Sequence, residues 1–178
     1  MRQMSTDLRS ILLDIENESK GFLLQEEFEI RGKKYLFKLL NDKENNWSIS
    51  HMRADNEFTL AMSARVSQLA ISIRAIDGYS IEDIFASDMK ISLIDDEDPE
   101  RSEKEKHNEE VRKLFFKYEN DKQLIAAHLF REFLLKQASV IVNELHECWQ
   151  KLVERQGKAQ VELKNSLGES LVKEEKKN

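Results

Sequence analysis

Four histidines, one cysteine and 34 carboxylates are the side chains of this 178-residue chain that could do chemistry rather than pack. A chelating pair on a helix needs i, i+4 spacing, so that both donors share one face. His146 and Cys148 are two positions apart in a helical stretch and point to different faces; they read as a partly buried histidine and cysteine. His128 is flanked by apolar residues and is expected to be satisfied by a backbone carbonyl or a carboxylate, whereas His51 and His107 lie in polar surroundings and are expected in solvent. The acid run Asp95, Asp96, Glu97 and Asp98 lacks the alternating ligands and central glycine of a calcium loop. Ser48, Ser50, Ser63 and Ser67 lack the glycine-flanked elbow that exposes a nucleophile, and a helix interior would hide Ser63 and Ser67. Glycines stand singly at 21, 32, 78, 157 and 168, which excludes the clustered amides of a phosphate loop. General acid–base work needs two carboxylates held in a cleft with separated pKa values, and no spacing here marks such a pair. No catalytic residue, metal, cofactor or enzymatic activity is expected.

Composition points the same way. Charged residues make up 35% of the chain and hydrophobic ones 40%, which favours long solvated helices over a compact sheet protein. Net charge is −6 with both signs interspersed, so there is no basic footprint for nucleic acid. A single cysteine and the absence of zinc-finger spacing indicate a reducing cytoplasm. No stretch approaches the roughly 20 apolar residues that span a bilayer, and the acid-interrupted start MRQMSTDLRSILLDIENESK lacks a signal peptide's apolar run.

The elements follow from periodicity. Leu8, Ile11, Leu12 and Ile15 are at helical spacing, behind Ser5, Thr6 or Asp7 as a cap, and Gly21 ends that helix. Alternation in EEFEI and KYLFKL predicts a hairpin about Gly32-Lys33, which would pair Ile30 with Tyr35 and Phe28 with Phe37. Phe58, Met62, Val66, Leu69, Ile73 and Ile76 predict an amphipathic helix from 56 to 76 that covers the hairpin and stops at Asp77-Gly78. Ser80 caps a short helix over 81–85, and 89–94 is either a short strand or an extended connection. The charged run DDEDPERSEKEKHNEE divides the chain, as a solvated linker or the start of an exposed helix. Val111, Leu114, Phe115 and Tyr118 resume helical spacing. Asp121 then caps one long helix to about Gly157, on the order of 50 Å, with a second apolar stripe through Ile125, Leu129, Phe133, Val140 and Trp149 that calls for a partner. The expected organisation is a hairpin and helical domain over 1–94, a charged linker over 95–110, a helical region over 111–156 and a polar tail over 157–178, either a frayed helix or disordered. The fold class is mainly α with a small β-hairpin, its long amphipathic helices arranged as in a bundle.

Residues 26–85 carry one further signal. FEIRGKKYLFKLL, KENNW and RVSQLAISIRAIDGYSIEDIF resemble tail-assembly and baseplate-hub assembly proteins of tailed bacteriophages, in which a strand, Arg-Gly-Lys, strand hairpin joins a helical region. The similarity covers about a third of the chain; the second half does not align. The resemblance implies protein–protein contact without catalysis: holding a tail, hub or tape-measure protein ready for assembly in the host cytoplasm. The alternatives are a stoichiometric component of the virion tail or baseplate, and a helical adaptor unconnected with tails; self-association through the long helix also stays open. Trp47, Phe58, Phe115, Phe130, Phe133 and Trp149 are the candidate partner contacts, with core packing as the other reading of each.

Overall fold

A computed structural model describes residues 25–52, 57–95 and 99–175, with side chains described for 25–52, 59–95 and 99–158. The expected helix over residues 6–16 lies outside them. The fold is mainly α with a small antiparallel sheet: among the described residues, six helices and four strands in the order β1-β2-β3-β4.

Strands β1 (Gln25–Ile30) and β2 (Lys33–Lys38) form the hairpin. Its turn falls one residue earlier than predicted, at Arg31-Gly32, both with positive φ (54° and 76°) as a type I′ loop requires. The register moves with it: Ile30 faces Lys33, Phe28 faces Tyr35 and Glu26 faces Phe37. A two-residue shift preserves the faces, so Phe28 and Phe37 still meet as diagonal neighbours, edge to face at 5.6 Å between ring centroids.

Helix α1 (Asp42–Ser50), not anticipated from periodicity, begins with a capping box. Asn41 Oδ1 accepts from the Glu44 amide at 2.9 Å, and Glu44 Oε2 accepts from the Asn41 amide at 3.0 Å. Burial works against the Glu44 carboxylate, but the Asn41 amide, Arg74 and Lys38 outweigh it and hold its pKa below the usual value.

Helix α2 (Glu57–Ser72) is the centre of the molecule. The predicted helix to 76 ends four residues early, and Ile73–Ile76 is strand β3, paired with β2. Ile73 and Ile76 are β-branched and suit a strand, and a hairpin alone is too small to be stable. Asp77-Gly78 is therefore a second tight turn (φ 51° and 83°) rather than a helix stop, leading to β4 (Tyr79–Ser80). Ser80 caps α3 (Ile81–Ile84), its Oγ accepting from the Asp83 amide at 3.0 Å.

Part of the charged segment is helix: α4 spans Arg101–Lys117. Asp121 caps α5 (Lys122–Leu135), as predicted, but the single long helix is interrupted, and α6 (Ser139–Glu175) starts afresh and runs on through Gly157. The amides of Lys136 and Gln137 close tight bonds to the Phe133 and Leu134 carbonyls, and Ala138 then offers its carbonyl to α6. The reason is burial. A straight rod would lay only one end on the 16-residue α2, whereas the turned chain packs both α5 and α6 against it. One hydrophobic cluster results, joining Phe37 and Leu39 of the hairpin side with Val66, Leu69, Ile125, Phe130, Leu145 and Leu152. Residues from both sides of the charged segment share that cluster.

Candidate functional site

Helix α4 is built unlike its neighbours. Pairs Arg101–Glu105 and Lys113–Glu109 lace its outer face at i, i+4 spacing. Only Asn108 and Val111 of the helix are fully buried, and Leu114 and Phe115 are half-buried. Phe116 stands 90% exposed on the charged face. Across from it runs the extended connection 89–94, held by a backbone-like pair of bonds: the Ser92 amide donates to Asn108 Oδ1 and Asn108 Nδ2 donates to the Ser92 carbonyl, both at 2.8 Å. His107 Nε2 meets the Lys90 carbonyl at 3.1 Å. Between connection and helix lies an open groove of about 580 Å³ lined by Met89, Ile91, Arg112, Phe115, Phe116 and Asn120. Leu93, two residues after Ile91 in the connection, is 96% exposed.

The C-terminal end of α4 is fastened by a polar chain. Tyr118, the cap residue, places its hydroxyl 2.8 Å from His51 Nε2 and 3.0 Å from His128 Nδ1. His51 Nδ1 lies 2.8 Å from the Trp47 carbonyl, which only accepts, so the neutral ring carries its proton on Nδ1. Nε2 then accepts from the Tyr118 hydroxyl, whose oxygen accepts from His128 Nδ1–H. The His51 ring also stacks on Trp47 at 4.1 Å. Burial lowers the His128 pKa from 6.5 to about 4, and Lys117, His51 and Arg131 add to the shift, against Glu132. Beneath this chain, Arg131 of α5 is buried: Nη2 donates to the His51 carbonyl at 2.8 Å and to Ser63 Oγ at 3.2 Å, and Nε to Ser67 Oγ at 3.0 Å. Nη1 reaches Glu132 at 2.8 Å.

The candidate contacts of the sequence divide sharply. Trp47 (7% exposed) and Phe130 (2%) are core residues. Phe115 lines the groove and Phe133 is 49% exposed, stacked on Phe130 at 6.2 Å. Trp149 is half-buried beside His146, with a buried Nε1 that has no hydrogen-bond acceptor. The Phe58 side chain lies outside the described ones. The structure therefore brings Phe115 into the groove and leaves Trp47, Phe130, Phe133 and Trp149 elsewhere. It adds Phe116, Met89 and Ile91, of which Phe116 carried a usable signal: a large apolar residue out of phase with Val111, Leu114, Phe115 and Tyr118.

The histidines also need correction. His51 is not a solvent residue, because capping α1 turns its ring onto Trp47 and Tyr118. His107 is half-buried against the connection, and His128 is satisfied by a tyrosine hydroxyl rather than a carbonyl or carboxylate. His146 meets Gln68 Oε1 at 3.2 Å, and burial lowers its pKa. Burial raises the Cys148 pKa, keeping the thiol protonated and a poor nucleophile. Ser63 and Ser67 are hidden in the helix interior, as expected. Among the described residues no cluster of three or more His, Cys, Asp or Glu has metal-binding geometry, and no helix is long and apolar enough to cross a membrane.

Comparison with known proteins adds no relative: no family model, no curated protein and no solved structure matches the chain.

Proposed function

We propose that the chain is a bacteriophage tail or baseplate assembly protein that works by contact, without catalysis, covering an apolar helical segment of a tail, hub or tape-measure partner. The observation that carries the contact reading is the groove beside Phe116, an apolar strip left open on an otherwise charge-laced helix. Its form suits the helix-in-groove mode, in which a few apolar anchors of an amphipathic partner enter a hydrophobic furrow. Mixed charge around the strip, with a net charge of −6, favours solubility of the protein and its complex. The phage assignment rests on the resemblance within residues 26–85, whose segments form the hairpin, α1 and the run from α2 to α3.

The test is affinity purification of the tagged protein from phage-infected cells, with mass spectrometry of the recovered proteins and of finished particles. Recovery of tail or hub proteins, and their loss with the exposed substitution Phe116→Asp, is the expected result. Presence in particles at fixed copy number would make the protein a structural component instead. Recovery of host proteins alone would overturn the phage reading, and unchanged recovery with Phe116→Asp would overturn the groove.

A further inference from the structure

The chain of bonds through His51, Tyr118 and His128 joins the end of α1 to two consecutive helices far along the chain, at the end of α4 and the middle of α5. Its proton arithmetic is unusual. One phenol can donate to only one imidazole at a time, and in the neutral state all donors point one way, from His128 to Tyr118 to His51 to the Trp47 carbonyl. A first proton can be absorbed by reversal. His51 gains it on Nε2 and donates to the phenol oxygen, the phenol turns its hydrogen to His128 Nδ1, and His128 changes tautomer, giving up its Nδ1 proton and taking one from solvent on Nε2. A second proton cannot be absorbed. With both rings charged, each presents an N–H to the same oxygen, and the phenol hydrogen has no acceptor in the chain.

The surroundings oppose that second charge. From α4, Lys117 places Nζ 4.9 Å from the Tyr118 ring centroid. From α5, the Arg131 guanidinium holds the His51 carbonyl, and the neighbouring Glu132 carboxylate is already engaged by Arg131. From α1, Trp47 and Ser50 contribute only neutral groups, as do Ser63 and Ser67 of α2. The two imidazoles lie 6.1 Å apart.

We propose that His51, Tyr118 and His128 form a proton-operated clasp that holds the C-terminal end of α4 on the body while at most one imidazole is charged and releases it when both are. Asn120 and Phe116 flank Tyr118 and line the groove, so release would dismantle the partner surface. That consequence rests on the contact reading above; the clasp itself does not, and its test uses no partner. The folded site binds a proton at His128 more weakly than the unfolded chain does, with a pKa of about 4 against 6.5. The clasp is therefore complete above the ordinary value and is lost as pH falls through the interval between the two.

The experiment is amide hydrogen exchange of the full chain between about pH 7.5 and about pH 4.5, corrected for intrinsic exchange. It is paired with the fluorescence of a Trp149→Phe variant, in which Trp47, stacked on His51, is the sole indole. Protection over 101–118 should fall about tenfold or more on acidification, while 57–72 and 139–152 keep theirs. Trp47 emission should be quenched over the same interval as the imidazolium forms beside it. His128→Asn keeps a donor near Nδ1 but cannot titrate, and should abolish the acid-dependent loss. Tyr118→Phe should show the loss already at neutral pH. Unchanged α4 protection down to about pH 4.5, an undiminished acid response in His128→Asn, or full neutral-pH protection in Tyr118→Phe would each overturn the clasp.

Discussion

Helices α2 and α4 are almost equal in length, 16 and 17 residues, and are held in opposite ways. α2 is enclosed by α1, α5, α6 and the sheet, and buries Val66, Leu69, Ala70 and Ile71 together with Ser63, Ser67 and Ser72. α4 keeps Asn108 and Val111 inside, rests Leu114 and Phe115 half-buried against the core, and is otherwise held by point fastenings: Asn108 on the 89–94 connection and Tyr118 at its end. Broad apolar burial is cooperative and insensitive to pH. Point fastenings can be undone singly, leaving the body intact. The difference places stability in α2 and the accessible surface on α4.

Arg131 should show the largest effect, because it serves the buried side of this contrast. Arg131→Ala leaves Ser63, Ser67 and the His51 carbonyl without their guanidinium donor in the interior. A global loss of about 3–5 kcal/mol is expected in chemical denaturation, from three buried hydrogen bonds of a charged donor at roughly 1.5–3 kcal/mol each, partly offset because both hydroxyls keep their bonds to the His51 carbonyl. A loss under about 1 kcal/mol would mean that these groups find other partners readily.

Next in size is a matched pair. Leu69→Ala, at a fully buried position, should cost about 2–5 kcal/mol and move the whole unfolding transition. Val111→Ala, on the inner face of α4, should cost about 1.5–2 kcal/mol and raise exchange in 101–118 alone. Equal, global losses from the two would abolish the distinction between the helices.

Legibility in the sequence follows the same line. The helical stripes, the Ser80 and Asp121 caps and the hairpin faces were readable, since each depends on local chemistry that a periodic pattern records. The strand at 73–76 was not, because β2 lies 35 or more positions earlier and only tertiary pairing turns that stripe from helix to strand. The interruption at 136–138 was equally hidden; no glycine or proline marks it, and its cause is the length of α2. The groove was half visible. Phe115 fell on a stripe, but Met89 and Ile91 join it only because Asn108 holds Ser92. His51 gave no sign of its role, which depends on where Tyr118 arrives.

Asn108→Ala should remove about 1–3 kcal/mol locally, leaving the Ser92 amide and carbonyl without their partner. Exchange at 89–94 should rise, with the melting of the body moved far less. A body transition displaced as far as in Leu69→Ala would show that the connection belongs to the core after all.

The smallest effect should be a gain. The turn from α4 to α5 holds Glu119 and Asn120 at φ 51° and 63°, and closes with the Asn120 amide donating to the Phe115 carbonyl at 2.9 Å. Asparagine tolerates the left-handed region, but glutamate there carries a steric cost of about 1–2 kcal/mol. At Asp77-Gly78 and Arg31-Gly32 the second left-handed residue is glycine, so the α4 turn alone of the three lacks one. Glu119→Gly trades that strain against about 0.5–1 kcal/mol of added unfolded-chain entropy. A net stabilisation of about 0.5 kcal/mol is expected, seen as slower exchange at the end of α4 with α2 unchanged. Destabilisation would mean that the Glu119 backbone is relaxed in this turn, and that α4 is held at its end by more than the Tyr118 fastening.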